Sequence, residues 1–165
     1  MVSEQLRRRI SNIQLIVFDF DGVFTDGKVI VDQDGRESVV CSRKDTLRFP
    51  ELKVLGIHLV VISKERNPVV AKRCEKMKVE CLQGVDDKLA AFKRLLETQG
   101  LSSEQAAFMG DDINDLVCLE FTGVAFTVAD GDEQCQTAAD YVTSRKGGDH
   151  AVREVCDVIL ESRQQ

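Results

Sequence analysis

The feature that most constrains the fold is a series of short, β-prone apolar runs separated by stretches with helical patterns. The runs are LIVFD, HLVVIS, AAFMGD, GVAFTV and DYVTS, which begin at residues 15, 58, 106, 123 and 140. Runs that are apolar on both faces are typical of strands inside a parallel sheet that helices cover on each side. The sequence therefore predicts an α/β fold, a doubly wound, Rossmann-like parallel sheet with helices on both faces.

Local signals between these runs predict helix ends and one hairpin. Asn67 is a candidate N-cap with Pro68 at the first helical position, and Gly100 closes the helix DDKLAAFKRLLETQ. The stretch SSEQ at 102–105 is a further helix-start signal. Asp34-Gly35 predicts a β-hairpin over about residues 27–42, which projects just after the first strand.

Size and composition favour a single domain spanning residues 1–165, with its core at about 10–162. The chain has 22 Lys and Arg against 28 Asp and Glu, a net charge of -6, so nucleic acid and anionic membranes are not expected partners. No apolar run approaches transmembrane length. The six cysteines form no C-x-x-C pair, which favours reduced thiols and a cytoplasmic protein.

Polar side chains follow the apolar runs where ligands bind in open parallel sheets, beyond the carboxyl ends of the strands. Asp19 and Asp21 end the first run, Ser63 ends the second, and Asp111 and Asp112 end the third. Lys88 opens the helix after CLQGVDD. The pattern predicts that carboxylates, a hydroxyl and an ammonium group meet at one rim of the sheet.

Two simpler interpretations of the first motif fail. An EF-hand loop that begins at Asp19 would need oxygen ligands where Val23 and Ile30 stand. The stretch from Gly22 to Lys28 matches a phosphate loop, but Val29 replaces its Ser or Thr and a hairpin follows instead of a helix. Each polar residue alone is commonly a cap or a surface charge, so the inference depends on their joint order.

The chemistry that these groups suit is phosphoryl transfer through an acyl phosphate. Asp19 is the candidate nucleophile and a ligand of Mg²⁺, for which Asp111 supplies a second carboxylate. Asp21 reaches the same space and can act as general acid and then as general base. Ser63 and Lys88 would hold the oxygens of the transferring group.

In their order, DFDGVFTD, Ser63, Lys88 and GDDIND resemble the signature of haloacid dehalogenase superfamily phosphatases. A receiver domain would carry its acidic pair, phospho-acceptor and lysine in another order. Over about residues 10–162 the chain resembles the branch of 3-deoxy-octulosonate 8-phosphate phosphatases, in DGVFTDGKVIVDQDGRE, QGVDDKLAAF and ADYVTSRKGGDHAVREVCDVIL. The resemblance implies that Mg²⁺ binds Asp19, Asp111 and the backbone carbonyl of Asp21, that Asp112 braces Lys88, and that Asp115 supports these ligands.

The function implied is a Mg²⁺-dependent phosphatase for a keto-deoxy sugar acid phosphate in cell-surface glycan or lipopolysaccharide biosynthesis. Two alternatives stay open. One is a phosphatase for a nine-carbon acid, keto-deoxynononate or N-acylneuraminate 9-phosphate. The other is a non-catalytic oligomerisation module of the kind found with acylneuraminate cytidylyltransferases, although every catalytic position is intact here.

Only 41 residues separate Asp21 from Ser63 and 24 separate Ser63 from Lys88, so neither gap holds a cap domain. The resemblance implies a homotetramer in which the hairpin builds the interface and a neighbour's segment near Gly147 and Gly148 helps to close the site.

Substrate contacts are expected from positions around the first and second motifs. The candidates are Gly22, Asp45, Lys64, Glu65 and Arg66. Relatives commonly read T-G-R or T-G-E after the second motif, so Glu65 points to the nine-carbon branch, or these charges simply form a solvated first helical turn. Bulky residues after Asp45 replace the glycines of relatives, which indicates a reshaped pocket.

Overall fold

The structure, a computed structural model, describes residues 2–164. Its strands are β1 Leu15–Phe18, β2 Ile30–Val31, β3 Glu37–Ser38, β4 His58–Ile62, β5 Glu80–Leu82, β6 Ala106–Gly110, β7 Val124–Thr127 and β8 Tyr141–Val142. Its helices are α1 Glu4–Ser11, α2 Phe49–Val54, α3 Val69–Met77, α4 Lys88–Gln99, α5 Leu116–Phe121, α6 Glu133–Ala138 and α7 Ala151–Arg163.

Six strands form a parallel sheet in the order β5-β4-β1-β6-β7-β8. Residues of β1 alternate between its faces: Ile16 and Phe18 pack with α1, α2, α3 and α7, whereas Leu15 and Val17 pack with α4, α5 and α6. All four are fully buried. Both faces are apolar because both are covered by helices, which confirms the predicted doubly wound α/β fold.

The helix boundaries follow the capping signals closely, with one exception. Asn67 Oδ1 accepts a hydrogen bond from the Val69 backbone N–H (3.1 Å), so α3 begins one residue beyond Pro68. α4 ends at Gly100 in the left-handed conformation, with φ of 65°. The SSEQ signal starts a 3₁₀ turn and no α-helix: the capping box at Ser102 is complete, but Ala106 is already extended and enters β6.

A hairpin of β2 and β3 projects after β1, as Asp34-Gly35 predicted. The Asp32 side chain accepts hydrogen bonds from the backbone N–H groups of Asp34 and Arg36, and Gly35 takes a φ of 78°. Val39 and Cys41 pack against the core, but other apolar residues of the hairpin stay exposed. Ile30, Val31 and Val40 are 63%, 57% and 70% exposed.

No cap domain is present within residues 2–164. Between β1 and β4 lie only the hairpin, a loop and α2, and between β4 and α4 lie only α3 and β5. The same residues contain no helix that is both long and apolar enough to cross a membrane.

Candidate active site

The carboxyl ends of three adjacent strands converge on one cavity. β1 lies between β4 and β6, so the residues that follow them, Asp19, Ser63 and Asp111, are neighbours at one edge of the sheet. The chain turns from one half of the sheet to the other here, where α/β folds bind ligands. The cavity of about 270 Å³ is lined by Asp19, Asp21, Gly22, Gly27, Ser63, Lys64, Glu65, Lys88, Asp111, Asp112 and Asn114.

Asp19 is nearly buried, with 5% of its surface exposed. Its Oδ1 accepts a hydrogen bond from the Phe20 backbone N–H (2.7 Å) and lies 2.8 Å from Lys88 Nζ. Burial and the nearby Asp115 carboxylate raise the pKa of Asp19 well above its ordinary value, although Lys88 opposes this. Both contacts engage Oδ1, so Oδ2 is the oxygen left to act on a substrate.

Lys88 is 2% exposed and is held between two carboxylates at the start of α4. Its Nζ donates to Asp115 Oδ1 (2.7 Å) in addition to contacting Asp19. Burial disfavours the ammonium form, but the two carboxylates outweigh it and the pKa of Lys88 lies above its ordinary value. Lys88 is therefore a fixed positive charge in the floor of the cavity.

The brace that the resemblance assigned to Asp112 is provided by Asp115, so that assignment is wrong. Asp112 is exposed, and its carboxylate accepts from the neighbouring Ile113 N–H (2.7 Å). Asp115 is fully buried and also accepts from the Asp111 N–H (3.1 Å). The turn can fold inward because Gly110 lacks a Cβ, which would stand 2.4 Å from the Asp115 Cβ.

Asp111 has an unsatisfied oxygen suited to a metal ion. Its Oδ1 is buried without a hydrogen-bond partner among residues 2–164. Burial, with the Asp115 and Asp112 carboxylates, raises the pKa of Asp111 to about 7. Ligand oxygens of Asp19, Asp111 and Asp115 lie within 4.8 Å of one another. Hard cations such as Mg²⁺ take oxygen ligands of this kind, so the donor set fits the predicted ion.

Asp21 stands at the cavity wall and is only partly buried. Burial and the Glu65 carboxylate raise its pKa above the ordinary value, which suits a group that must carry a proton. The buried Thr25 Oγ1 supports this turn, since it lies 3.5 Å from Asp21 Oδ1 and accepts from the Gly22 N–H (3.1 Å). The sequence reasoning did not single out Thr25, although DGVFTD contained it.

Ser63 is 2% exposed, and its loop is held by the end of β5. Its N–H donates to the Leu82 carbonyl (2.9 Å) and its carbonyl accepts from the Val85 N–H (3.0 Å). Ser63 Oγ accepts from the Glu65 N–H (3.1 Å). The hydroxyl is thereby fixed at the cavity, where its hydrogen can point to a substrate oxygen.

The charged residues after Ser63 divide into two groups. Lys64 and Glu65 line the cavity, but Glu65 Oε1 also accepts from the N–H groups of Arg66 and Asn67 (2.7 Å each). Arg66 does not line the cavity and pairs instead with Asp86 (3.1 Å) at the surface. Arg66 thus lies outside the cavity lining, and its substrate contact stays a prediction.

Asp45 also lies elsewhere than expected. It is fully buried under α7, and Oδ1 accepts from the Arg153 N–H (3.4 Å), so it supports the first turn of α7 instead of lining the cavity. Burial raises its pKa to about 6. In relatives, glycines follow the aspartate that matches Asp45. The bulky residues that follow Asp45 here place its side chain against α7.

Gly22 permits the close approach of the two acidic loops. With φ of 78°, a Cβ at this residue would stand 1.8 Å from Asp111 Oδ2. Gly147 and Gly148 pack on the other side of the same loop, where the Gly148 N–H donates to the Val23 carbonyl (3.0 Å). This pair thus supports the loop that follows Asp21 in its own chain, and its role towards a neighbouring subunit stays a prediction.

The cavity is rich in negative charge. Its lining includes five carboxyl groups, those of Asp19, Asp21, Glu65, Asp111 and Asp112, and two ammonium groups, those of Lys64 and Lys88. A phosphate ester would be repelled by this set alone. A divalent cation between the carboxylates removes the repulsion, so the balance of charge favours a metal-dependent site for an anion.

The arrangement agrees with comparisons to known proteins. Residues 62–155 match the haloacid dehalogenase-like hydrolase family, so the chain belongs to that family, and its relatives make it a phosphomonoester hydrolase. Within the family it falls in the capless 3-deoxy-D-manno-octulosonate 8-phosphate phosphatase branch. The phosphatase of Escherichia coli strain B is 34% identical over 160 residues, which cover 96% of this chain and 85% of that protein.

Solved structures are also similar over nearly the whole chain, and two of them carry metal ions. The 3-deoxy-D-manno-octulosonate 8-phosphate phosphatase of Moraxella catarrhalis, in complex with magnesium, phosphate and KDO, is 33% identical with a TM-score of 0.93, covering 96% of this chain and 92% of that one. The cobalt-bound phosphatase of Haemophilus influenzae is 31% identical with a TM-score of 0.89, covering 94% and 91%. Divalent metal ions thus occupy proteins of this fold.

Proposed function

We propose that this protein is a Mg²⁺-dependent phosphatase that hydrolyses a keto-deoxy sugar acid phosphate of the 3-deoxy-octulosonate 8-phosphate type through an aspartyl-phosphate. The pathway would be cell-surface glycan or lipopolysaccharide biosynthesis in the cytoplasm. The observation that carries the proposal is the buried Asp19, whose Oδ1 is tied to Lys88 and the Phe20 N–H while Oδ2 is left for attack.

In the first step, Asp19 Oδ2 forms a bond to phosphorus as the bond from phosphorus to the ester oxygen breaks. Asp21 gives its proton to the departing alkoxide, which its raised pKa allows. Lys88 and Ser63 hold the oxygens of the transferring group, so no reorganisation is needed as charge spreads over them.

In the second step, Asp21 takes a proton from water, and the water oxygen attacks phosphorus. The bond to Asp19 breaks, inorganic phosphate leaves and the carboxylate is restored. The same group therefore serves as acid and then as base, as its place beside the nucleophile requires.

Asp19, Asp111 and the backbone carbonyl of Asp21 would hold the magnesium ion. When bound, Mg²⁺ neutralises the carboxylates and the incoming phosphate. The orphaned Asp111 Oδ1 supports this assignment, because a buried oxygen without a partner is otherwise unfavourable.

The identity of the sugar acid depends on the cavity wall. Similarity to octulosonate 8-phosphate phosphatases supports the eight-carbon acid. Glu65 lines the cavity where an arginine would contact an oxygen or the carboxylate of the eight-carbon acid, and its resemblance to the nine-carbon branch keeps a nine-carbon acid as the second candidate. A panel of eight- and nine-carbon acid phosphates tested with wild type and with Glu65→Arg should separate them. A shift of preference towards the eight-carbon acid in the variant supports Glu65 as the selecting residue.

The decisive test of the reaction uses Asp19→Asn with p-nitrophenyl phosphate and with the acid panel in Mg²⁺. Hydrolysis should require Asp19, and a beryllium fluoride adduct should form on this side chain in wild type. Equal rates of hydrolysis in both proteins would refute Asp19 as the nucleophile, and no hydrolysis in either would favour the non-catalytic oligomerisation module. An adduct on another residue would refute the nucleophile.

We also propose a homotetramer whose interface is built by the hairpin. Its exposed Ile30, Val31 and Val40 form an apolar surface that an isolated ribbon would not be expected to leave in water. A neighbouring subunit would also cover the open cavity, which the described residues of a single chain leave uncapped.

A further inference from the structure

A small cavity away from the active site is lined by positive charge. It lies between α3 and the loop that joins the hairpin to α2, and it has a volume of about 240 Å³. Its lining consists of Arg43, Thr46, Arg73, Lys76 and Met77. This basic cavity shares no lining residue with the active-site cavity and contains no carboxylate in its lining. Because the net charge of the chain is -6, such a local excess of cations indicates a site for an anion.

The three cations of the basic cavity are not used to neutralise carboxylates. The ion pairs formed within residues 2–164 include neither Arg43, Arg73 nor Lys76. In contrast, Lys72 on the same helix pairs with Glu75 (3.1 Å). Arg43 and Lys76 are exposed, so their side chains are free to turn towards a ligand. Their charges are therefore available to an anion from outside the chain.

Arg73 is partly buried and already oriented. Its Nη2 donates to the Ser42 carbonyl (3.1 Å), which fixes the plane of the guanidinium group. Its Nη1 has no hydrogen-bond partner in residues 2–164 and remains accessible to solvent. An arginine whose direction is fixed loses less conformational freedom when it binds an anion, so Arg73 is the anchor of the basic cavity.

Asp45 balances part of the positive charge from behind. Burial raises the pKa of Asp45 to about 6, and the nearby Arg73 opposes this increase. The two groups are not hydrogen-bonded to each other, since Asp45 Oδ2 and Arg73 Nε are both buried without a partner among the described residues. Asp45 also does not line the basic cavity. One carboxylate against three cations leaves an excess of two positive charges, which matches a dianion.

We propose that the basic cavity binds a phosphate group, either as inorganic phosphate or as part of a phosphate monoester. Such a group carries about -1.5 to -2 charge at pH 7, and its oxygens match the fork of an arginine side chain. Arg73 would hold the group in place, while Arg43 from the loop and Lys76 from the helix close on it. The cavity is smaller than the sites of drug-sized ligands, so the remainder of an ester would extend into solvent.

The hydroxyl of Thr46 completes the donor set. Its Oγ1 lies 3.5 Å from the Arg43 carbonyl, a weak contact that a phosphate oxygen can replace. A bound phosphate would thus connect the loop at 43–46 to α3. This inference does not depend on the proposed function, because none of these residues belongs to the active-site cavity.

The first test maps the site by chemical modification of the full chain in EDTA, with and without inorganic phosphate. Phenylglyoxal modifies arginines and acetic anhydride modifies lysines, and mass spectrometry gives the rate at each residue. Phosphate should slow the modification of Arg43, Arg73 and Lys76. Arg94 and Lys72, which are exposed elsewhere on the surface, should react at unchanged rates. Protection of none of the five residues, or equal protection of all, would overturn the site.

The second test is calorimetry in EDTA at low ionic strength. The double variant Arg43→Gln, Lys76→Gln changes two exposed side chains and should keep the circular dichroism of the wild type. Its Kd for inorganic phosphate should rise about tenfold or more, the factor expected when charged hydrogen bonds are lost. The matched control Lys72→Gln should change Kd by less than about twofold. An unchanged Kd in the double variant would overturn the proposal.

The same calorimetry separates the possible ligands. Acetate, a monoanion, should bind more weakly than inorganic phosphate, and equal affinity would overturn the assignment of a phosphate group. Glycerol 3-phosphate serves as the monoester, which is not hydrolysed in EDTA if the proposed metal dependence holds. Tighter binding of the ester would assign the site to a phosphorylated metabolite, whereas tighter binding of inorganic phosphate would assign it to the product of a phosphatase reaction. Hydrolysis of p-nitrophenyl phosphate in Mg²⁺, measured separately, reports on the proposed function alone.

Discussion

Replacement of Lys88 by Met should destabilise the metal-free protein strongly. Lys88 Nζ lies 2.8 Å from Asp19 and 2.7 Å from Asp115, and its side chain is 1% exposed. Removing one partner of a buried ion pair costs about 3–5 kcal/mol, because the remaining charge is left uncompensated. For a chain of 165 residues that corresponds to a fall in Tm of roughly 6–20 °C.

The loss should depend on pH and on metal. The pKa of Asp111 is about 7, and that of Asp19 is raised above its ordinary value. The ionised forms of both groups therefore lower the free energy of unfolding at high pH, and this effect decreases as the groups take up protons. Without Lys88 the repulsion among the buried carboxylates increases. The deficit should therefore be greatest at about pH 8 in EDTA, and smaller at about pH 5 or when Mg²⁺ occupies the site.

The measurement is urea unfolding followed by circular dichroism, at both pH values, with EDTA and with Mg²⁺. Lys93→Met is a matched control on the same helix. Lys93 is exposed and its Nζ lies 5.0 Å from the Phe121 ring centroid, a contact worth about 0.5–1 kcal/mol. Equal stability of the Lys88 and Lys93 variants at about pH 8 in EDTA would refute the argument that Lys88 neutralises buried carboxylates.

Three further predictions concern other parts of the chain. Gly22→Ala should abolish activity and weaken Mg²⁺ binding measured by calorimetry, because its Cβ would stand 1.8 Å from Asp111 Oδ2, whereas Gly56→Ala, which has a similar φ of 76° with nothing within 4 Å, should cost only stability. Asp45→Asn should flatten the dependence of the free energy of unfolding on pH. The folded-state pKa of Asp45 is about 6 and the ordinary value is 3.8, so in the wild type this residue should lower the free energy of unfolding by about 1–3 kcal/mol as the pH rises from 3.8 to about 6. An equal change of the free energy of unfolding with pH in wild type and variant would contradict this. Ile30→Lys on the hairpin should shift light-scattering mass towards the monomer, while a wild type that is monomeric at micromolar concentration would remove the proposed interface.

Periodicity and capping were enough to predict most of the fold. Apolar runs at β1, β4, β6 and β7 were read correctly, because strands covered on both faces need apolar residues at every position. The run at 140–144 also contains a strand, β8, although this edge strand leaves Val142 40% exposed. The short edge strand β5 was not predicted as a strand, since its sequence Glu-Cys-Leu has no such run. The helix-start signal at Ser102 was also insufficient, because strand pairing at Ala106 ended the helix after one turn.

The sequence by itself determined which groups could take part in chemistry and at which strand ends they would lie, since the order of strands and the carboxylates after them are local properties. Only the tertiary structure decided which partners they meet. Asp115, not Asp112, holds Lys88, because Gly110 lets the turn fold inward. Asp45 supports α7, because the two are joined by packing between elements that no local pattern records.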